Sequence, residues 1–150
     1  MGEFFMKEKQ NDNIIFLNLI YQNAEMGLIG IDVVLKKITD EKLAKLINEQ
    51  KEEYEHICKD VKEILIKYGA QEEDIPKFKE FSSKLMSEVM SMGSDDKKIV
   101  KLMMEGSQKG VIELQENLNQ YDNNDSEIVD LAKKLLDTEE HNREELKKFL

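Results

Sequence analysis

Across 150 residues the chain has no tryptophan, one proline, one cysteine and two histidines. The single cysteine, Cys58, excludes an internal disulfide and fits a reducing compartment. It stands among helix formers beside an apolar position, which points to a small packed side chain rather than a nucleophile. The only proline is Pro76, so helices can run unbroken through most of the chain. There is no glycine-rich phosphate loop, no cysteine pair and no Ser-His-Asp or Cys-His-Asn set, so signatures of hydrolases, kinases and nucleotide-dependent oxidoreductases are missing. The opening "MGEFFMKEKQ" lacks a basic start followed by a long apolar run, and the apolar run 14–21 is too short to span a bilayer. We therefore expect a cytoplasmic protein. Residues 1–11 are expected to form a flexible N-terminus, in which residues 1–5 read equally well as vector-derived.

Charge is plentiful and unbalanced. Lys and Arg number 22 against 32 Asp and Glu, a net charge of −10. Such a surface repels phosphate backbones and anionic lipid, so neither nucleic acid nor membrane is an expected partner. The chain length suits one domain with a real core.

The apolar residues recur in steps of three and four. Ile14, Leu17, Tyr21, Ala24, Leu28, Ile31, Leu35 and Ile38 predict a first helix of about seven turns near 12–38. Ile15, Leu19, Met26, Ile29 and Val33 make its other side apolar too, and a helix apolar on two faces is buried on two faces. That outer face predicts a homodimer through the first helix, unless the crossover segment covers it within one chain. Thr39 or Asp40 caps a second helix near 40–68, with the stripe Leu43, Leu46, Ile47, Gln50, Tyr54, Ile57, Val61, Ile64 and Tyr68, and Gly69 ends it. A short helix follows Pro76, with Phe78, Phe81, Leu85, Val89 and Met92 on one face. Ser94 caps the third long helix near 95–121, striped by Val100, Met104, Ser107, Val111, Leu114, Leu118 and Tyr121. After the turn "DNNDS", Ile128, Leu131, Leu135, Leu146 and Phe149 mark a last helix near 126–149. No segment alternates with period two, so no strands are expected.

The two halves repeat each other. With Gly27 set on Gly110, the stripe 21, 24, 28, 31, 35, 38 falls on 104, 107, 111, 114, 118, 121, and a two-residue difference in the turn sets His56 on His141. Ala24 with Gly27, and Ser107 with Gly110, mark a close approach of the first and third long helices, since a mid-helix glycine costs about 1 kcal/mol against alanine. The methionines around the crossover, Met86, Met90, Met92, Met103 and Met104, suit irregular core gaps.

Glu53-x-x-His56 places a carboxylate and an imidazole on one helix face, the spacing with which a helix offers two metal ligands. With the paired hairpins, the long crossover, "YQNAEMGLIGI", "MMEGSQKGVIEL" and "TEEHNREELKKFL", the chain resembles the ferritin-like superfamily, close to small bacterial proteins related to the rubrerythrins. The resemblance covers residues 14–150. It implies an all-α, ferritin-like four-helix bundle of two hairpins joined by a crossover with a short extra helix. Metal-binding members take a carboxylate from the first and third long helices and Glu-x-x-His from the second and fourth. Carried onto this chain, the first half supplies Glu25, Glu53 and His56. In the second half Gln108 stands where Glu25 has its counterpart and Thr138 where Glu53 has its own, leaving His141 as the match. Glu105, one turn before Gln108, is a substitute carboxylate.

The expectation is therefore a bundle with a degenerate metal site, serving as a non-catalytic interaction or structural module. The alternative is a protein holding a single Fe, Mn or Zn ion through Glu25, Glu53 and His56, with water or His141 completing the shell.

Overall fold

The computed structural model describes residues 2–150, with backbone only for Phe4 and Phe5. All regular structure among these residues is helical: α1 (Gly2–Leu35), α2 (Glu41–Lys67), α3 (Phe78–Ser91), α4 (Asp96–Gln120) and α5 (Ser126–Lys147). The five helices pack into one bundle, in which α1 lies against α2, α3, α4 and α5, while α5 also packs on α2 and α4.

Three aspartates start the long helices. Asp40 accepts from the Lys42 and Leu43 amides, Asp95 from Lys97 and Lys98, and Asp125 from Glu127 and Ile128. The cap of α4 is thus Asp95 rather than Ser94. Gly69 and Gly93 follow α2 and α3 with φ of +70° and +67°, the left-handed conformation that glycine adopts freely at helix ends. The crossover helix begins at Phe78, two residues beyond Pro76, and its preceding residue Lys77 is itself left-handed at φ 58°. Helix α1 starts at Gly2 instead of near residue 12. No helix breaker separates residues 2–12, and two contacts tie this first stretch to the bundle: Gln10 donates to the Tyr68 carbonyl, and Asn123 donates to the Lys9 carbonyl.

The core runs through all five helices. Leu17, Ala24, Ile31, Ile47, Ile57, Val89, Val100, Leu114 and Leu135 are buried, so these members of the stripes read from the sequence do face inward. At one end Tyr68 donates to Asp125 and Tyr121 to Asn13, which joins the start of α1, the ends of α2 and α4 and the start of α5. At the other end Asp96 accepts from the Thr39 amide, the Thr39 hydroxyl and the Asp40 amide, clamping the α1–α2 turn onto the start of α4. Residues 69–94 therefore travel the length of the bundle between those two ends.

The outer face of α1 is partly covered from within. Leu85 of α3 lies against Gly30, Val33 and Ile29 are buried, and Leu19 is half-buried. Ile15 and Met26 remain exposed. By length and composition α1 is also the one helix, among the described residues, apolar enough to cross a membrane. A central helix packed on four others has the same character.

Candidate functional site

The residues expected to bind metal fall in two separate places. Glu53, His56 and His141 line one surface groove between α2 and α5, together with Thr138 and the charged residues Asp130, Lys133, Lys134 and Asp137. Glu53 is half-buried and both histidines are exposed. Burial raises the Glu53 carboxyl above its ordinary range, and His141 opposes that shift. Glu25 lies in a different groove, on another flank of α2, beside Tyr21, Cys58 and Lys62. Its carboxyl is pushed up to about 7, first by burial and then by the Asp74 carboxylate of the α2–α3 connection. One of its oxygens is buried without a partner. Glu25 is therefore not brought together with Glu53 and His56, and no group of three or more His, Cys, Asp or Glu side chains disposed for a metal ion occurs among the described residues.

Cys58 is buried, and burial with the nearby Glu25 pushes its thiol up to about 11, which suppresses the nucleophilic thiolate. Gln108 is exposed, as is Glu105.

The polar chemistry of the interior sits one residue further along. Tyr54 and Glu139, not Glu53 and Thr138, are the inward side chains. The Tyr54 hydroxyl donates to Glu139 Oε1, the Ser107 hydroxyl donates to Glu139 Oε2, and Arg143 donates to the Ser107 hydroxyl at 3.0 Å. Glu139 is 4 % exposed. Burial raises its carboxyl above the ordinary range, while the Ser107 and Tyr54 hydrogen bonds and Arg143 pull it back. The same burial and the same carboxyl drive the Tyr54 hydroxyl well above its usual value.

Backbone and small residues make room for this cluster. A Cβ at Gly27 would stand 3.0 Å from the Tyr54 ring, so the glycine lets α2 rather than α4 come close at that point. At Gly110 the expected approach of α1 to α4 is present, because Asn23 donates to the Gly110 carbonyl at 2.9 Å. Next to the cluster, Gln50 donates to the Asn142 carbonyl at 3.3 Å. Asn142, 2 % exposed, lies beside the Tyr54 hydroxyl and opposes its upward shift, yet neither Nδ2 nor Oδ1 makes a close hydrogen bond to a protein partner. A buried amide left so costs about 1–3 kcal/mol.

This cluster was foreshadowed in the sequence. Extending the α5 stripe from Leu135 by four and then three lands on Glu139 and Asn142 before Leu146. Two polar residues in an apolar stripe signal a buried polar site. No family model, no curated protein and no solved structure matches this chain.

Proposed function

We propose that this chain is a ferritin-like bundle without a catalytic metal centre, acting as an interaction or structural module. The connectivity supports the ferritin-like part of the reading. Two antiparallel hairpins, α1–α2 and α4–α5, are joined by a connection that runs end to end and carries the short α3.

The observation that carries the functional part is the donor set inside the bundle. Where a pair of divalent cations would need carboxylates from several helices, the inward side chains are Tyr54, Ser107, Glu139 and Asn142. That is one carboxylate, and both its oxygens are already taken by hydroxyl donors. These residues do not fit a two-metal centre, because one acid cannot balance four positive charges in a dry interior. The alternative, a single Fe, Mn or Zn ion on Glu25, Glu53 and His56, requires side chains that line two different grooves.

Thermal melting with added Zn(II) or Mn(II) tests the proposal. A site at 100-fold excess over its Kd adds about 2.7 kcal/mol, which for a chain of this size is about 5–11 °C. We expect no shift at micromolar metal. A rise of that size, removed by Glu53→Ala, would replace the proposal with the single-metal alternative.

A further inference from the structure

A cavity of about 410 Å³ borders the polar cluster, and the proposed structural role leaves it unused. It exists because α3 and α4 both pack on α1 but hardly on one another. Met26, Phe81, Leu85, Leu102 and Met103 line it from these three helices, and none of the five is fully buried. Gly30 and Gly106 keep the space open: a Cβ at Gly30 would meet only Leu85, at 3.9 Å, and one at Gly106 would meet nothing within 4 Å. The cavity opens to solvent, since Glu88 of α3 and Glu105, Lys109 and Glu113 of α4 line it and are exposed. Large apolar side chains left uncovered around one opening mark a binding surface rather than scattered exposure. The volume lies in the range of small-molecule sites, whereas a helix, about 10 Å across, needs an open groove.

We infer that this cavity binds a small amphiphilic organic cation, its apolar body held between α3 and α4 and its ammonium or guanidinium head at the carboxylates of the rim. The apolar lining selects the body, and the rim selects the head. Glu88, Glu105 and Glu113 stand there against Lys109, the single cation among the lining residues. None of the three carboxylates is in an ion pair among the described residues. Lys109 stands one turn from both Glu105 and Glu113 on α4 and can answer one of them, which leaves an excess of negative charge for the ligand. An anionic head would be repelled by that excess, on a chain whose net charge is already −10. A neutral head would gain nothing from it. Deeper in, Tyr54 and Ser107 both donate to Glu139, so the polar floor is matched internally and the ligand does not call on it.

The probe is n-octylammonium, with octanoate as the control of reversed charge and octanol as the uncharged one. Met26 and Met103 place methyl reporters on the lining, so binding to the full chain is read by methyl NMR of methionine-labelled protein in millimolar titrations. Octylammonium should shift both signals saturably and leave that of Met6, about five turns away on α1, in place. Octanoate should bind about fivefold more weakly or worse. Glu105→Gln with Glu113→Gln should weaken octylammonium about threefold or more at low salt and leave octanol unchanged. The same two charges removed at Glu8 and Glu140, exposed elsewhere, should change nothing. Gly30→Leu, which fills the cavity from α1, should abolish binding. The rim substitutions lie on an exposed helix face, so they decide the matter even if Gly30→Leu fails to fold. The inference is overturned if the Met26 and Met103 signals do not move at millimolar octylammonium. Octanoate binding as tightly, or an equal loss in the Glu8 and Glu140 variant, would overturn it too, leaving an apolar cavity without charge preference.

Discussion

Replacing Tyr54 with phenylalanine removes one oxygen from a buried polar contact of the bundle. The ring stays, and so does its packing against Gly27. What is lost is the donor to Glu139, between two residues that are 6 % and 4 % exposed. A neutral hydrogen bond of this kind contributes about 1 kcal/mol and one to an ionised group about 1.5–3 kcal/mol. Protonation of Glu139 decides between the limits. Burial holds that carboxyl above its ordinary range, and Tyr54 is one of the groups that lower it again. Without the hydroxyl the carboxyl shifts further up, so its ionised form becomes costlier in the folded state than in the unfolded chain. The penalty of Tyr54→Phe must therefore grow from about 1 kcal/mol at an acidic pH where Glu139 is protonated to about 2–3 kcal/mol at an alkaline pH where it is ionised. In melting temperature that is about 2–4 °C rising to about 4–12 °C. Urea unfolding followed by circular dichroism at both pH values measures it. In a Glu139→Gln background the pH dependence of the penalty should vanish, and the double-mutant cycle isolates the pair. A penalty below about 0.5 kcal/mol at both pH values, or one that shrinks as pH rises, would refute the reasoning.

Three further outcomes are expected. Asp96→Ala removes the acceptor for the Thr39 and Asp40 amides and should cost about 1 kcal/mol, or about 2–4 °C, as the loss of a helix cap does; an unchanged melting temperature would mean that the clamp between the α1–α2 turn and α4 carries no load. Glu25, whose folded carboxyl sits at about 7 against 4.5 unperturbed, favours the folded state fully below about 4.5, and that contribution is lost as pH rises toward 7. Glu25→Gln should flatten the fall in stability over that window, and a variant that keeps the full slope would contradict the assignment. Light scattering should give the 17.5 kDa monomer, because α3 covers part of the outer face of α1 and the exposed remainder, Ile15 and Met26, is small against the ~1,600 Å² of a standard interface. A species of twice that mass would instead assign this face to a second copy.

Periodicity and turn chemistry made most of the fold legible. The stripes Leu43 to Tyr68 and Val100 to Tyr121 needed only spacing, and Asp40 and Gly69 needed only cap chemistry, because both signals are local. The start of α1 was harder to read. Residues 7–13 are polar, and Gln10 and Asn123 tie this stretch down across long sequence separations, which no local pattern reveals. The inward polar position of α2 lies one residue from the motif. Glu53-x-x-His56 has the spacing of a ligand pair, but the α2 stripe through Gln50, Tyr54 and Ile57 puts Tyr54 at the inward position and leaves His56 exposed. The phase of the stripe outweighs the spacing of a short motif, since the burial of a whole helix face fixes its rotation. Glu25 was misplaced for a related reason. It neighbours Ala24 in sequence, but one step along a helix turns a side chain by about 100°, onto the flank beside Asp74.

The central claim, that the interior donor set of this bundle holds no metal, is tested most directly by elemental analysis of protein purified without added metal or chelator. The account predicts less than about a tenth of an equivalent of iron, manganese or zinc, since Glu139 is the one fully buried carboxylate residue among the described residues and is occupied by Tyr54 and Ser107. Metal approaching one or two equivalents, retained through gel filtration and lost in Glu139→Ala, would contradict it.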